Sequence, residues 1–355
     1  MVSIDSWYVE NLVCPRDYSR LMLKNDRFCC EQNHRHCYPI VEGIPVMLLE
    51  EKDQTMDLIN NSIKRAKGEL VDTRAPELYL ESLGISEKEK LLAVSLIGKT
   101  KIDPVVNVII GATSGHLYKD LIGRLESYPI PELRLEGGHG KKLLDIGCNW
   151  GRWSAAAYKL GYGVVGIDPS LGAIMAARRV SNSLNFDIKY VVADARFLPF
   201  SNKYFDVVFS YSVLQHLDRR NVELCLKETS RLLKDKGYSF IQLANKFGMR
   251  SFYHQLKRGF RESLNFEVRY WTPSEMVVTF NAFIGETSLE VDGYFGLGIQ
   301  KSDIELMSKF QQIIINVSEA LRRMSKIFSP IVYLADSLYV RSMKTLRLYE
   351  EMDIE

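Results

Sequence analysis

The stretch LLDIGCNWGRW, residues 143–153, passes from apolar residues into an acid and then into a turn holding two glycines and an asparagine. Packing a core does not require that order. An apolar run closed by glycine chemistry and followed by "WSAAAYKLG" predicts a buried strand, a tight turn and a helix. Outward from it the alternation repeats: "YGVVGIDPS" as a second strand, "GAIMAARRVSNSL" as a helix, "IKYVVAD" as a third strand and "YFDVVFSYS" as a fourth. The helix "DRRNVELCLKETSRLLKDKG" and the strand "YSFIQLA" follow. Parallel strands joined by single helices must cover both sheet faces, so the pattern predicts an α/β fold, a doubly wound and mostly parallel sheet over residues 136–300.

In such a sheet ligands sit beyond the C-terminal strand ends, closest to the first strand-to-helix turn. Gly147 and Gly151 remove side chains there, Asn149 tolerates a left-handed backbone, and Cys148 lies between them. Asp145 discriminates between ligands: a carboxylate beside the first glycine opposes a pyrophosphate, as in a nicotinamide cofactor, but suits a ligand bearing ammonium and sulfonium charge. Further acids close the next two strands, Asp168 before Pro169 and Asp194 before Ala195. Each acid taken alone also reads as a helix N-cap; three at successive strand ends read as a site.

These residues resemble the class I S-adenosylmethionine-dependent methyltransferases over roughly 140–245, with a final strand near 337–344. The first motif of that family is an acid and three spaced glycines; here it is "DIGCNWG", with Asn149 in place of the middle glycine. The resemblance implies a Rossmann-like fold and S-adenosylmethionine as cofactor. It sets Asp145 and Gly147 at the methionine end, Asp168 at the ribose hydroxyls and Asp194 with Ala195 at the adenine, and counts Cys148, Asn149, Gly151 and Pro169 among the cofactor-binding residues. "FSYSVLQHL", 209–217, matches the segment bordering methyl transfer and adds Ser210.

Methyl transfer from a sulfonium is an in-line displacement, so alignment of the acceptor and exclusion of water matter most. A hydroxyl or protonated amine acceptor also needs a base, for which His216 is the candidate, with Tyr211 and His254 lining the acceptor site. Packing of His216 against a helix turn is the alternative. In "MRSFYHQLKRGFRES", Arg250, His254, Lys257, Arg258 and Arg261 share one helical face and Met249, Phe252, Tyr253, Leu256 and Phe260 the other. That cationic face suits an anionic acceptor, or is simply solvated. Tyr270 and Trp271 in "VRYWTPSEM", with "YPIPE", offer surfaces that stack on a sugar or a base, or belong to the core.

Four of the six cysteines fall in the first 40 residues, which suggests a metal site in a small unit, 1–50, too small to hold together without a staple. "LVCPRD" and "FCCEQNHRHCYPIVEGIPVML" resemble the zinc-ribbon domain of the activator subunit shared by several RNA and protein methyltransferases, and the ribbon of the large-subunit rRNA guanine-N1 methyltransferase. By that resemblance Cys14 with Asp17, and Cys30 with His34, hold zinc; Cys29, His36 and Cys37 are spare candidates, and a ribbon without metal is the alternative.

Residues 51–135 show helical spacing interrupted by Gly and Pro, a connector or lid without strands. Residues 301–355 read as a helical insertion and a last strand, "DSLYVRSMK". Within them "LRRMSKIFSPIVYLADSLY" mixes cations with large apolar residues, which we read as burial against the domain, with peripheral contact to a membrane or a partner subunit as the alternative. The chain has 355 residues, 46% hydrophobic and 25% charged, and a formal charge of +2, so it carries no global field of a nucleic-acid binder. Without a leader-like N-terminus or a membrane-length apolar run we read it as cytoplasmic. The expected activity is methyl transfer to oxygen or nitrogen of a small acceptor, anionic or saccharide-containing. An RNA base methyltransferase is the runner-up and a non-catalytic scaffold the third reading.

Overall fold

The computed structural model describes residues 4–113, 116–296 and 300–345; positions 297–299 of the 136–300 segment and the last ten residues of 301–355 lie outside the described residues. Helix α1 (Ser6–Asn11), capped by the Asp5 carboxylate, leads into an antiparallel sheet of β1 (Leu21–Lys24), β2 (Arg27–Cys30), β3 (Cys37–Val41) and β4 (Ile44–Pro45). So small a sheet cannot enclose a core of its own. Its Phe28 and Tyr38, with Met47 just after β4, join the same apolar cluster as Val191 and Phe200. The backbone is stitched at the same place: Met47 N–H donates to the Val192 carbonyl (2.7 Å) and Val13 N–H to the Pro199 carbonyl (3.0 Å).

Helices α2 (Asp57–Ala66), α3 (Glu87–Ser95) and α4 (Pro104–Thr113) follow, with no strand among the described residues of 51–135. The main sheet then unfolds in chain order as β5 (Lys142–Ile146), α5 (Arg152–Lys159), β6 (Gly163–Asp168), α6 (Leu171–Leu184), β7 (Lys189–Val192) and β8 (Phe205–Tyr211). Next come α7 (Arg219–Leu232), β9 (Leu233–Ala244), α8 (Met249–Lys257), α9 (Pro273–Phe283), β10 (Gly285–Gly293), α10 (Lys309–Ser325) and β11 (Ser337–Lys344). The strand order is β10-β11-β9-β8-β5-β6-β7, parallel from β5 to β9, with β11 antiparallel to both neighbours. The chain leaves β5 toward β6 and returns to its other side at β8, so the strand order reverses there, where such sheets bind ligands.

Three expectations are corrected. Residues 233–237, read as the end of a helix, begin β9, because Leu233 pairs with Phe205 and Lys234 reaches Asp206 at 2.9 Å. Helix α9 was not expected, although Thr272 and Glu275 form a reciprocal capping box with Pro273 at the first turn. The tract 321–339, read as buried against the domain, is fully buried over 335–339 but exposes Met324, Ile327, Phe328, Tyr333 and Leu334. No helix among the described residues is long and apolar enough to cross a membrane.

Candidate functional site

The turn after β5 is left-handed at three positions, Gly147 (φ 70°), Asn149 (φ 50°) and Gly151 (φ 79°). A side chain on Gly147 would overlap Val213, so the glycine lets the segment after β8 close on the turn. Gly147 and Cys148 N–H groups donate to the Ile167 carbonyl at 2.8 and 2.9 Å, which locks the turn to β6. The Cys148 thiol points into the core, and burial pushes it well above the usual thiol range.

Asp145 sits on β5 between Gly166 and Phe209, almost fully buried, and accepts a 2.6 Å hydrogen bond from the Ser154 hydroxyl. Burial pushes its carboxyl up to about 7, with the Asp168 charge adding to the rise. At the end of β6, Asp168 accepts from the backbone N–H of Asn149 (3.1 Å) and of Ser170 (2.9 Å). Burial outweighs those bonds and raises it to about 6. Neither carboxylate is in an ion pair among the described residues. The N-caps of α5 and α6 are Gly151 and Ser170, so neither acid merely caps the next helix.

Asp194 is different. It is held by Arg196, whose Nε lies 3.1 Å and Nη2 2.7 Å from Oδ2; Nη2 also donates to the Asp53 carbonyl and Nη1 to Asn221. The reading missed this arginine, though a cation two residues after an acid in a loop was its signal. Ala195 lies in the same turn, partly buried. Ser210 is corrected from the ligand edge to the sheet interior: its hydroxyl donates to the Ile146 carbonyl at 3.0 Å and is fully buried.

At the end of β8, the Tyr211 ring packs on Trp153 (4.5 Å between centroids), and its hydroxyl donates to Asp292 (2.8 Å) and accepts from Gln300 (3.0 Å). Burial, then Asp292, keeps that phenol protonated well above its ordinary range. Arg134 joins Asp292 at 3.2 Å and Glu319 at 2.7 Å, beside a cavity of about 640 Å³ between α10, β10 and residues 132–134. His216 stacks on Phe266 with ring centroids 3.9 Å apart, and its Nδ1 lies 2.7 Å from the Phe266 carbonyl. A carbonyl only accepts, so Nδ1 carries the proton; burial depresses the imidazole to about 4.

The remaining candidates are scattered. His254 lies on the outer face of α8 with Arg250 Nε 3.4 Å from its ring, and Lys257 is exposed on the same helix. Arg250 donates to the Phe295 carbonyl and Arg258 to the Val268 carbonyl, while Glu267 takes up Arg261 at 2.7 Å. Tyr270 lies 5.7 Å from the Arg258 guanidinium. Trp271 is core: it is 1% exposed, hydrogen-bonded by its backbone to Ala244, and roofed by the Arg219 guanidinium.

In the small unit, Cys14, Asp17, Cys30 and His36 bring donor atoms within 4.8 Å of one another. The fourth member is His36 rather than His34, because the turn Cys30–His36 places residue 36 opposite Cys30, while the exposed His34 bonds the Cys30 carbonyl at 3.1 Å. Burial raises the Cys14 thiol to about 11. Burial also pushes Asp17 upward, but bonds from Ser19 outweigh it and hold the carboxyl at about 2. Cys29 and Cys37, the spare candidates, face each other across β2 and β3 and are joined as a disulfide.

A family model described as a methyltransferase domain matches residues 144–241. A ubiquinone biosynthesis O-methyltransferase of Pelagibacter ubique is 38% identical over 105 residues, covering 30% of this chain and 42% of that protein. The protein of the same name from Brucella anthropi is 33% identical over 107 residues, with the same shares. The chain thus spans under half the length of these relatives. A chain from the complex between the Haloferax volcanii Trm112 methyltransferase activator and a methyltransferase is 16% identical, with TM-score 0.43, covering 74% of this chain and 99% of that one.

Proposed function

We propose, from the match of residues 144–241 to the methyltransferase domain model, that the chain transfers a methyl group from S-adenosylmethionine to an oxygen of a small acceptor. One observation carries the reading: on adjacent strands beside the left-handed turn, Asp145 is buried and Asp168 partly buried, neither has an ion pair among the described residues, and they are raised to about 7 and about 6. A buried acid without a counter-charge is costly until an ammonium, a sulfonium or sugar hydroxyls reach it. Asp168 would hold the ribose hydroxyls, and Asp145 with the Gly147–Gly151 turn would face the methionine end. The bound cofactor supplies an electrophilic methyl carbon on a positively charged sulfur.

His216 removes the acceptor proton. With Nδ1–H bound to the Phe266 carbonyl, Nε2 carries the lone pair, and a pKa near 4 keeps the ring neutral at pH 7. Phe266 orients that ring, while Tyr211, committed to Asp292 and Gln300, shapes the wall beside Trp153. Oxygen is favoured over nitrogen as acceptor because both relatives are named O-methyltransferases. In the small unit, Cys14, Asp17, Cys30 and His36 supply the mixed sulfur, oxygen and nitrogen donors of a structural zinc site, which would brace the ribbon without touching the reacting atoms.

Isothermal calorimetry with S-adenosylhomocysteine tests the assignment: saturable binding is expected, weakened on the order of 100-fold by Asp168→Ala as charge-assisted bonds are lost. No heat with the unaltered protein defeats it. Elemental analysis of chain purified without added metal is expected to find one zinc per molecule, lost in Cys30→Ser; metal-free, folded protein overturns the zinc assignment.

A further inference from the structure

Helix α8 is docked by its polar side. Its buried residues are Ser251 and Gln255: the Ser251 N–H donates to Asp336 at 2.7 Å, and the Gln255 amide donates to the Lys246 carbonyl at 2.8 Å. The side chains that a helix on a water-soluble protein turns inward, Phe252, Tyr253 and Leu256, are 52%, 58% and 56% exposed. Phe260, Leu264 and Phe266 extend this apolar tract beyond the helix.

A second tract runs from the end of α10, where Ile327 is 92% exposed and Phe328, Tyr333 and Leu334 are each about half exposed or more. Hydrogen bonds tie the two tracts to each other. Asn245, just before α8, donates to the Tyr333 and Ala335 carbonyls at 2.8 and 2.7 Å, and Arg250 of α8 reaches the Phe295 carbonyl. Tyr294, next to Phe295, donates in turn to the Ile331 carbonyl at 3.0 Å. Isolated exposed apolar residues are ordinary, but a contiguous set of this size marks a contact.

Charge selects the partner. Residues 246–264 hold Lys246, Arg250, Lys257, Arg258 and Arg261 against Glu262 alone, and 321–334 hold Arg322, Arg323 and Lys326 with no acid, although the whole chain carries only +2. Glu267 offsets Arg261 and part of Arg258, and Glu319 offsets Arg322, which leaves Lys246, Arg250, Lys257, Arg323 and Lys326 as the surplus. A second copy would bring the same sign of charge to the contact. A nucleic acid would use the cations but not Leu256, Ile327 or Leu334. An anionic bilayer uses both, accepting apolar side chains below the headgroups and cations at the phosphates.

We propose that the surface formed by α8, residues 258–266 and residues 322–334 seats this protein on an anionic lipid bilayer. Phe266 belongs to that surface and stacks on His216, so the bilayer lies beside the segment that follows β8. The proposal stands apart from methyl transfer and can fail or succeed separately from it.

Sedimentation of the full chain with sucrose-loaded vesicles tests it. The protein is expected to pellet with vesicles of equal parts phosphatidylglycerol and phosphatidylcholine, far less with phosphatidylcholine alone, and to be released as salt rises. Lys257→Gln with Lys326→Gln should lower the partition coefficient about 30-fold, and Leu256→Ser with Ile327→Ser at least about 10-fold. These side chains are exposed, so unchanged thermal melting is the control for folding. Protein that stays in the supernatant with anionic vesicles, or pellets regardless of both variants, overturns the proposal. So does a dimer by light scattering that Phe252→Glu with Ile327→Glu converts to monomer, or RNA retention that the lysine variant abolishes in protein that ignores vesicles.

Discussion

Asp168 and Asp194 close neighbouring parallel strands, and by position they look equivalent. Their surroundings separate them. Asp168 receives two backbone N–H groups and no cation, whereas Asp194 is clamped by an arginine that also ties Asn221 and the Asp53 carbonyl into the same corner. An acid whose charge is already balanced stabilises the corner it sits in. An acid left buried and unbalanced weakens the empty protein and is repaid when a ligand arrives. On the proposed function, the difference puts the larger share of the binding free energy at the β5–β6 edge rather than at the β7 end.

That contrast can be broken most directly by exchanging the two losses. Asp168→Ala should cost S-adenosylhomocysteine binding on the order of 100-fold while leaving resistance to urea equal or higher, because the desolvated charge is gone. Arg196→Ala should do the reverse: urea unfolding should show a loss of about 2–3 kcal/mol as Asp194 loses its partner, with binding changed less than about 10-fold. If Arg196→Ala removes binding and spares stability, the two ends are not divided as described.

The smallest net effect is expected with pH, because one imidazole opposes two carboxyls. The raised carboxyls of Asp145 and Asp168 bind protons more tightly folded than unfolded, so their contribution favours the fold at low pH and is lost as pH rises from about 4 to about 7. His216, depressed to about 4, acts oppositely: the unfolded chain binds its proton first, so stability rises between about 4 and 6.5. Urea midpoints of the cofactor-free protein should therefore fall as pH rises from about 5 to about 7, because two raised carboxyls outweigh one depressed imidazole, and Asp145→Asn should flatten that fall. A midpoint in Asp145→Asn that falls as steeply with pH would contradict the burial of that acid.

Much of the candidate site was legible because its requirements are local. An acid at a strand end, glycines where the backbone turns left-handed and an asparagine able to follow them are all written in "DIGCNWG", and Asn149 does adopt φ 50°. Helix α9 was equally legible through Thr272, Pro273 and Glu275, but its aromatic neighbours drew the reading toward stacking surfaces. His36 was harder: choosing it over His34 depends on which residue a tight turn sets opposite Cys30, and both lie within the same few residues. The outward apolar side of α8 was not legible, since amphipathic spacing specifies two faces and not which one meets the protein.

Order along the chain therefore determined the alternation of strand and helix, the parallel sheet and the bare turn beside Asp145, because period and turn chemistry act between near neighbours in sequence. Tertiary structure alone decided which acid keeps its charge unbalanced, which histidine joins the cysteines, and which side of α8 meets water. Those outcomes depend on residues brought together from far along the chain, such as Asp53 with Arg196 or Asp336 with Ser251, and no local pattern encodes such meetings.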